Sequence, residues 1–244
     1  MTAATSAPRE LSLVVCGSRV VLRGDRSLFW PELGWLIVAD LHLGKAESLR
    51  RDGVALPDGV MAADLQRLQL AVAETGAARV LVLGDLVHDA AGLTAAMVRR
   101  VAAWREGIPS EIALVPGNHD RRVAELPASW RVRRLDELLR VDPFLFSHEP
   151  QRLASAEAAT AATAATAGMA LFNWHGHVHP VLTVRGGVDR ARLPCFVVDH
   201  AAGILPAFST LTGGSECSSG DSGRRWGIVE GRILEIVRRP RGEG

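Results

Sequence analysis

Three short apolar runs, each stopped by a residue able to hold a cation, constrain this chain more than any other feature. Trp35-Leu36-Ile37-Val38-Ala39 ends at Asp40, Val80-Leu81-Val82-Leu83 ends at Gly84-Asp85, and Ile112-Ala113-Leu114-Val115 ends at Pro116-Gly117-Asn118. An unbroken run of this length, bounded by turn residues, reads as a strand buried on both faces. Between the runs, residues 61–72 and 93–104 carry apolar side chains at helical spacing. Strand, helix, strand, helix, strand predicts parallel strands joined by right-handed crossovers. In such a sheet ligands bind beyond the carboxyl ends of the strands, so Asp40, Asp85 and Asn118 are expected to share one edge.

The flanking sequence extends this α/β reading. Residues 11–16 and 19–22 alternate about Gly17-Ser18 and predict a hairpin. Strand-like segments at 144–146, 170–172, 181–184, 196–198, 226–229 and 233–237, separated by Gly, Pro and Asp, predict a second, mainly antiparallel sheet. Two stretches do not read as core. In 154–168 Ala-Ala-Thr is repeated without apolar periodicity, which fits a surface loop at least as well as a marginal helix, and 213–223, dominated by Gly and Ser, is expected to be a loop. The whole chain, 1–244, is expected to form a single domain.

Composition narrows the setting. A net charge of +1 offers no electrostatic case for broad nucleic-acid binding, although paired arginines can form local anion-binding sites. Cys16, Cys195 and Cys217 are too scattered for a metal knuckle and too few to pair completely, which suits a reducing cytoplasm. Neither a signal peptide nor a membrane span is read in the sequence, so a soluble cytoplasmic protein without a membrane partner is expected.

The chemistry lies in five motifs. Asp40-Leu41-His42 sets a carboxylate and an imidazole two residues apart, and Asp85 offers one oxygen to each of two ions. Asn118 is a neutral oxygen ligand, while the adjacent His119 is placed to protonate a departing alkoxide. His148 follows an apolar run. In Gly176-His177-Val178-His179 two imidazoles point to the same side if the segment is extended. Two divalent cations need about seven protein ligands with a bridging carboxylate, and imidazole plus carboxylate suits zinc, iron and manganese. Asp40, His42, Asp85, Asn118, His148, His177 and His179 supply that set, which predicts metal-assisted phosphoester hydrolysis.

Other residues are assigned lesser roles. His88 and Asp89 are expected to support the ligands or lie at the surface, His175 and His200 to be structural, and Arg121 and Arg122 either to meet a substrate phosphate or nucleic-acid backbone or to be plain helix surface. Competing motifs fail. Gly44-Lys45 lacks the rest of a phosphate-binding P-loop, and no G-x-S-x-G nucleophile elbow is present.

With D-x-H, G-D, G-N-H-D, a lone H and G-H-x-H in this order, the chain resembles the calcineurin-like metallophosphoesterase superfamily. ADLHLGKAESLRRDGVALPDG from Ala39, GDLVHD from Gly84, VPGNHDRR from Val115, SHEP from Ser147, GHVHP from Gly176, LPCFVVD from Leu193 and ILPAFSTLTGG from Ile204 are similar to bacterial ligase-associated DNA damage response endonucleases. The resemblance implies a four-layer α/β/β/α sandwich of two mixed sheets. It implies one metal on Asp40, His42, Asp85 and His179, and another on Asp85, Asn118, His148 and His177, with manganese first and iron or zinc as alternatives. His119 would be the general acid and Asp120 structural support. The implied reaction is attack on a phosphodiester by a hydroxide bridging the metals, with DNA as substrate in a repair system that includes a DNA ligase. A phosphodiesterase or phosphatase for small nucleotides or phosphoesters is the alternative, and a non-catalytic metal-binding scaffold a third. An arginine-lined groove favours DNA; a closed pocket favours the small substrate.

Overall fold

A computed structural model describes residues 7–151, 171–186, 189–217 and 223–236. The chain opens with β1 (Glu10–Val15), β2 (Ser18–Arg23) and β3 (Leu28–Trp30), an antiparallel ribbon whose first two strands are the expected hairpin. β4 (Trp35–Ala39) joins β3 antiparallel. After α1 (Lys45–Arg51) and α2 (Val60–Thr75) come β5 (Arg79–Leu83), α3 (Ala95–Glu106), β6 (Glu111–Val115) and β7 (Val132–Arg134). β4 to β7 pair parallel in sequence order, as the alternation of apolar runs and helical stretches predicts.

Period-two alternation explains why the central runs are continuously apolar. Leu36, Val38, Val80, Val82, Ile112 and Leu114 face a core shared with Leu65 and Leu68 of α2 and Met97 and Val101 of α3. Their neighbours Ile37, Ala39, Leu81, Leu83, Ala113 and Val115 face the other way, against Phe144, Phe146, Trp174 and Phe196. Both faces are dry. Each buried Val, Leu, Ile or Phe contributes about 1.5–3 kcal/mol, so neither face tolerates polar residues until the strand ends.

The second layer of strands comprises β8 (Leu138–Val141), β9 (Phe144–Ser147), β10 (Phe172–His175), β11 (Pro180–Gly186), β12 (Asp189–Val198), β13 (Ala202–Ile204), β14 (Ser215–Glu216), β15 (Arg224–Val229) and β16 (Arg232–Glu235). It is more mixed than the alternating pattern suggested. β8 with β9, β11 with β12, β12 with β13, β12 with β15, and β15 with β16 are antiparallel. At its centre β10 lies parallel between β9 and β13. The two sheets pack face to face through the aromatic core, with Trp30 and Phe144 edge to face at 4.7 Å between ring centroids. Of the α-helices among the described residues, α2 and α3 pack on the far side of the first sheet. The Ala/Thr-rich stretch 154–168 and residues 218–222 of the Gly/Ser-rich stretch lie outside the described residues. Among the described residues no helix is long and apolar enough to cross a membrane.

Register brings the chemistry together. Ala39, Leu83 and Val115 are level across β4, β5 and β6, so Asp40, Gly84 and Pro116 leave the sheet side by side. Ser147, His175 and Ile204 are level across β9, β10 and β13, which puts His148 and Gly176 at the corresponding edge of the second sheet. Backbone hydrogen bonds stitch these ends together: Gly176 N donates to His148 O (3.1 Å), Phe208 N to Ala39 O (2.8 Å), and His42 N to Asp85 O (2.8 Å).

Candidate metal centre

Asp40 and Asp85 are buried carboxylates ringed by imidazoles, with the field of Lys45 reaching both. Asp40 Oδ1 lies 3.2 Å from His179 Nε2 and 3.7 Å from His148 Nδ1, and its carboxylate accepts from the His177 backbone N–H (3.1 Å). Asp85 is divided between two groups: Oδ1 lies 3.5 Å from His148 Nε2, whereas Oδ2 lies 3.7 Å from His42 Nε2. Asn118 Oδ1 and His177 Nδ1 each stand 3.0 Å from that same His148 Nε2. One cluster therefore gathers Asp85, Asn118, His148 and His177. The other gathers Asp40, His42 and His179, whose ligand atoms lie within 4.8 Å of one another.

The donor set fits divalent ions. His148 Nδ1 donates to the Leu83 carbonyl (3.1 Å), leaving Nε2 with its lone pair directed at the cluster. His42 Nε2 and His179 Nε2 are buried without hydrogen-bond partners. His179 Nε2 stands 3.2 Å from Asp40 Oδ1, so nitrogen and carboxylate face a common point. Two buried ring nitrogens left bare are costly in water-free surroundings and are what ligands without their ion look like. Burial, followed by the charge of Lys45 and the imidazoles of His179, His119 and His88, pushes His42 down to about 2 and keeps its ring neutral. Ligand atoms about 2.1 Å from a shared ion stand about 3–3.5 Å apart, which matches the closest of these separations.

Backbone strain is concentrated at the same residues. Asp40 (φ 57°), His42 (47°), Asp85 (48°), His177 (67°) and His179 (48°) all adopt the left-handed region. For a residue with a Cβ this conformation costs about 1–2 kcal/mol, and its clustering at one place is a mark of function. It also corrects an expectation: residues 176–179 form a turn between β10 and β11, not an extended segment, and positive φ rather than strand alternation aims His177 and His179.

Two glycines let the ligands approach. A Cβ on Gly117 would stand 2.3 Å from Asp85 Oδ1 and 2.9 Å from His148 Cδ2, and one on Gly84 (φ 72°) would stand 2.1 Å from His148 Nδ1. Gly117→Ala is expected to weaken metal binding by about 10- to 100-fold, the usual cost of disturbing groups that orient ligands. Metal titration followed by calorimetry checks this; unchanged affinity would show that the ligands tolerate displacement.

Around this centre stand the remaining candidates. His119 is partly exposed; its Nδ1 pairs with the His88 carbonyl and its Nε2 lies 3.9 Å from Asp85 Oδ2. Asp120 is fully buried and accepts from Gly117 N (2.9 Å) and Val87 N (3.1 Å), bracing the loops that carry Asn118 and Asp85. Asp89 caps the turn at 90–92 and holds Ser48, while His175 is buried at the end of β10 and His200 is exposed. Arg121 and Arg122 are not drawn into the cluster. Arg121 is held by Glu137 (3.2 Å) and Glu149 (3.0 Å), and Arg122 is exposed.

Two neighbours lie closer to the centre than their sequence context suggests. His88 Nδ1 lies 3.3 Å from His42 Nδ1, with its ring 5.0 Å from that of His119. Lys45 is half-buried at the start of α1; burial lowers its pKa against the opposing pull of Asp85 and Asp40. Its position three residues after His42 is the one sequence signal that points to the centre, and it is masked by a Gly-Lys pair that resembles an incomplete P-loop.

Two packed sheets with carboxylates, an amide and imidazoles converging at level strand ends define a metal-dependent phosphoesterase. Residues 35–204 match the calcineurin-like phosphoesterase family, and the chain belongs to it. Family membership implies divalent metal ions at this centre. Among solved structures, a nuclease of Pseudomonas putida, MPE, is 32% identical, with a TM-score of 0.77 over 93% of this chain and 100% of that one. A protein of unknown function from Aquifex aeolicus, AQ665, is 18% identical over 59% of this chain and 78% of that one, with a TM-score of 0.39. A Vps29 single mutant from Entamoeba histolytica is 15% identical over 83% of this chain and 96% of that one, with a TM-score of 0.34. No curated protein matches the chain.

Proposed function

We propose that this chain is a nuclease that hydrolyses phosphodiester bonds in DNA through a dinuclear metal centre. The carrying observation is the division of Asp85, one oxygen facing His148 and the other facing His42, as a carboxylate shared by two ions requires. Asp40, His42 and His179 would hold one ion, and Asn118, His148 and His177 the other. A divalent pair bound there supplies Lewis acidity toward the phosphate oxygens and a water of lowered pKa. The oxygen and imidazole ligands, without thiolate, suit manganese first, with iron or zinc as alternatives.

The protein's own groups do the rest. His119, fixed through Nδ1 by the His88 carbonyl, presents Nε2 to the centre and gives its proton to the departing sugar oxygen. Lys45 adds positive charge beside Asp40 and Asp85, where the phosphate arrives. DNA as substrate is supported by the 32% identical nuclease and by the sequence resemblance; a repair role beside a DNA ligase, in the cytoplasm, rests on the sequence reading alone. We treat the chain as one domain carrying one such centre.

Manganese-supplied protein is expected to cleave single-stranded DNA and a phosphodiester dye, with little action on a phosphomonoester dye. Assays of all three, alongside duplex DNA, test the proposal. Hydrolysis of the monoester alone would overturn it.

A further inference from the structure

Arg26 is a cation that the hydrolytic centre does not use. It sits at φ 75° in the turn between β2 and β3, partly buried, and its Nη1 donates to the carbonyls of Ala207 (3.2 Å) and Ser209 (3.0 Å). Those carbonyls belong to the segment bonded to Ala39 and Asp40, so Arg26 is anchored close behind a metal ligand. Asp64, the carboxylate whose field reaches it, is already taken by Arg67 (2.9 Å) and by the backbone and hydroxyl of Thr210 (3.1 Å each). Burial and the like charge of Arg67 push Arg26 down to about 10, which leaves it charged at neutral pH. A partly buried guanidinium with no carboxylate of its own among the described residues is electrostatically incomplete.

The space beside it shows what completes it. Arg26 and Arg192 line a cavity of about 180 Å³ that is also lined by His179, and among the described residues no carboxylate contributes to its wall. A neighbouring cavity of about 900 Å³ shares Arg26, but there four arginines are offset by four carboxylates, and Arg23 alone holds Glu10, Asp25 and Glu74. An anion is therefore drawn to the smaller space, next to the metal centre. That volume falls below the ~300–1,000 Å³ of small-molecule pockets and suits a phosphate group rather than a whole nucleotide. Arg192 is exposed on β12, and Arg190, two residues earlier on the same face, is exposed as well, so the positive track continues outward along the strand.

We propose that Arg26 and Arg192 bind the backbone phosphate adjacent to the scissile one, which makes the preferred substrate a nucleic-acid strand rather than an isolated diester. The inference rests on the phosphodiesterase reading above and adds a subsite to it. Guanidinium to phosphate contacts are charge-assisted and bidentate, and each released counterion leaves a signature in salt dependence.

The test compares kcat/KM for a single-stranded trinucleotide, which has two phosphodiesters, with that for a dinucleotide, which has one, and with bis(nitrophenyl) phosphate. Wild-type protein is expected to prefer the trinucleotide. Arg192→Ala and Arg26→Gln are each expected to reduce that preference roughly tenfold, and to flatten the logarithmic salt dependence of oligonucleotide binding by about 0.7 for each phosphate left unneutralised. Arg100→Ala, on the exposed surface of α3, controls for removal of one positive charge. Because Arg192 is exposed, its variant reports even if Arg26→Gln fails to fold. An unaltered preference, or equal losses on all three substrates, overturns the subsite while leaving the nuclease reading intact. Wild-type protein that hydrolyses the dye but no oligonucleotide overturns both.

Discussion

Asp85→Asn is expected to lower phosphodiester hydrolysis by about 10³-fold or more and to leave purified protein with fewer bound metal ions than the wild type. The substitution retains the side-chain volume at a position only 2% exposed, so packing is preserved. One oxygen survives and can still accept from the His119 backbone N–H, now at 3.0 Å from Oδ1. The other becomes an amide nitrogen with no lone pair for an ion. Whichever oxygen is replaced, either the His42 side or the His148 side is left without its carboxylate. Lewis-acid stabilisation is worth several kcal/mol, and about 4 kcal/mol corresponds to about 10³ in rate. Elemental analysis and steady-state kinetics on the same preparation are the check. Full metal content with full activity would mean that Asp85 is not shared between ions, and the catalytic account would fail.

His119→Ala separates proton transfer from metal binding. Its Nε2 approaches Asp85 Oδ2 only to 3.9 Å, and the seven residues assigned to the two ions do not include it, so metal content is expected to remain unchanged. Loss of a general acid costs about 10²- to 10⁴-fold where the leaving group is a poor one, such as a sugar alkoxide. Nitrophenolate departs without protonation. DNA cleavage should therefore fall by that factor while hydrolysis of a nitrophenyl diester falls far less. Equal losses on both substrates would remove His119 from the role and point to a contact with the phosphate itself.

The first sheet is legible in the sequence because its central strands are buried on both faces, which forces continuous apolar runs that end abruptly where solvent and ligands begin. The helices are legible for the complementary reason that one face is buried; the observed α2 and α3 exceed or shift the expected spans by one to three residues at their ends. Less of the second sheet is legible. Nothing in Phe172-Asn173-Trp174-His175 says that its neighbours are β9 on one side and β13 on the other, both parallel, because strand pairing is decided by contacts distant along the chain. The turn at His177 and His179 escapes the sequence for a related reason: alternation reads as extended backbone, whereas five left-handed residues are held in place by the surrounding loops.

Charge is the least readable property. Arg121, adjacent to the general-acid candidate, looks available for phosphate in the sequence, yet Glu137 and Glu149 hold it. Arg26, far from any motif, stands beside the metal centre. Ion pairing depends on which side chains fold within about 4 Å of one another, and sequence separation carries little of that information.

By itself the amino-acid sequence determined the α/β framework of the first sheet and the identity of the polar residues at its strand ends, because burial and backbone periodicity act locally. Only the tertiary structure decided that two sheets end level at one edge, that Asp85 divides its oxygens between two clusters, and that Arg121 meets carboxylates while Arg26 is held by backbone carbonyls. Those outcomes depend on register and on electrostatics across space, and both are set when distant segments pack.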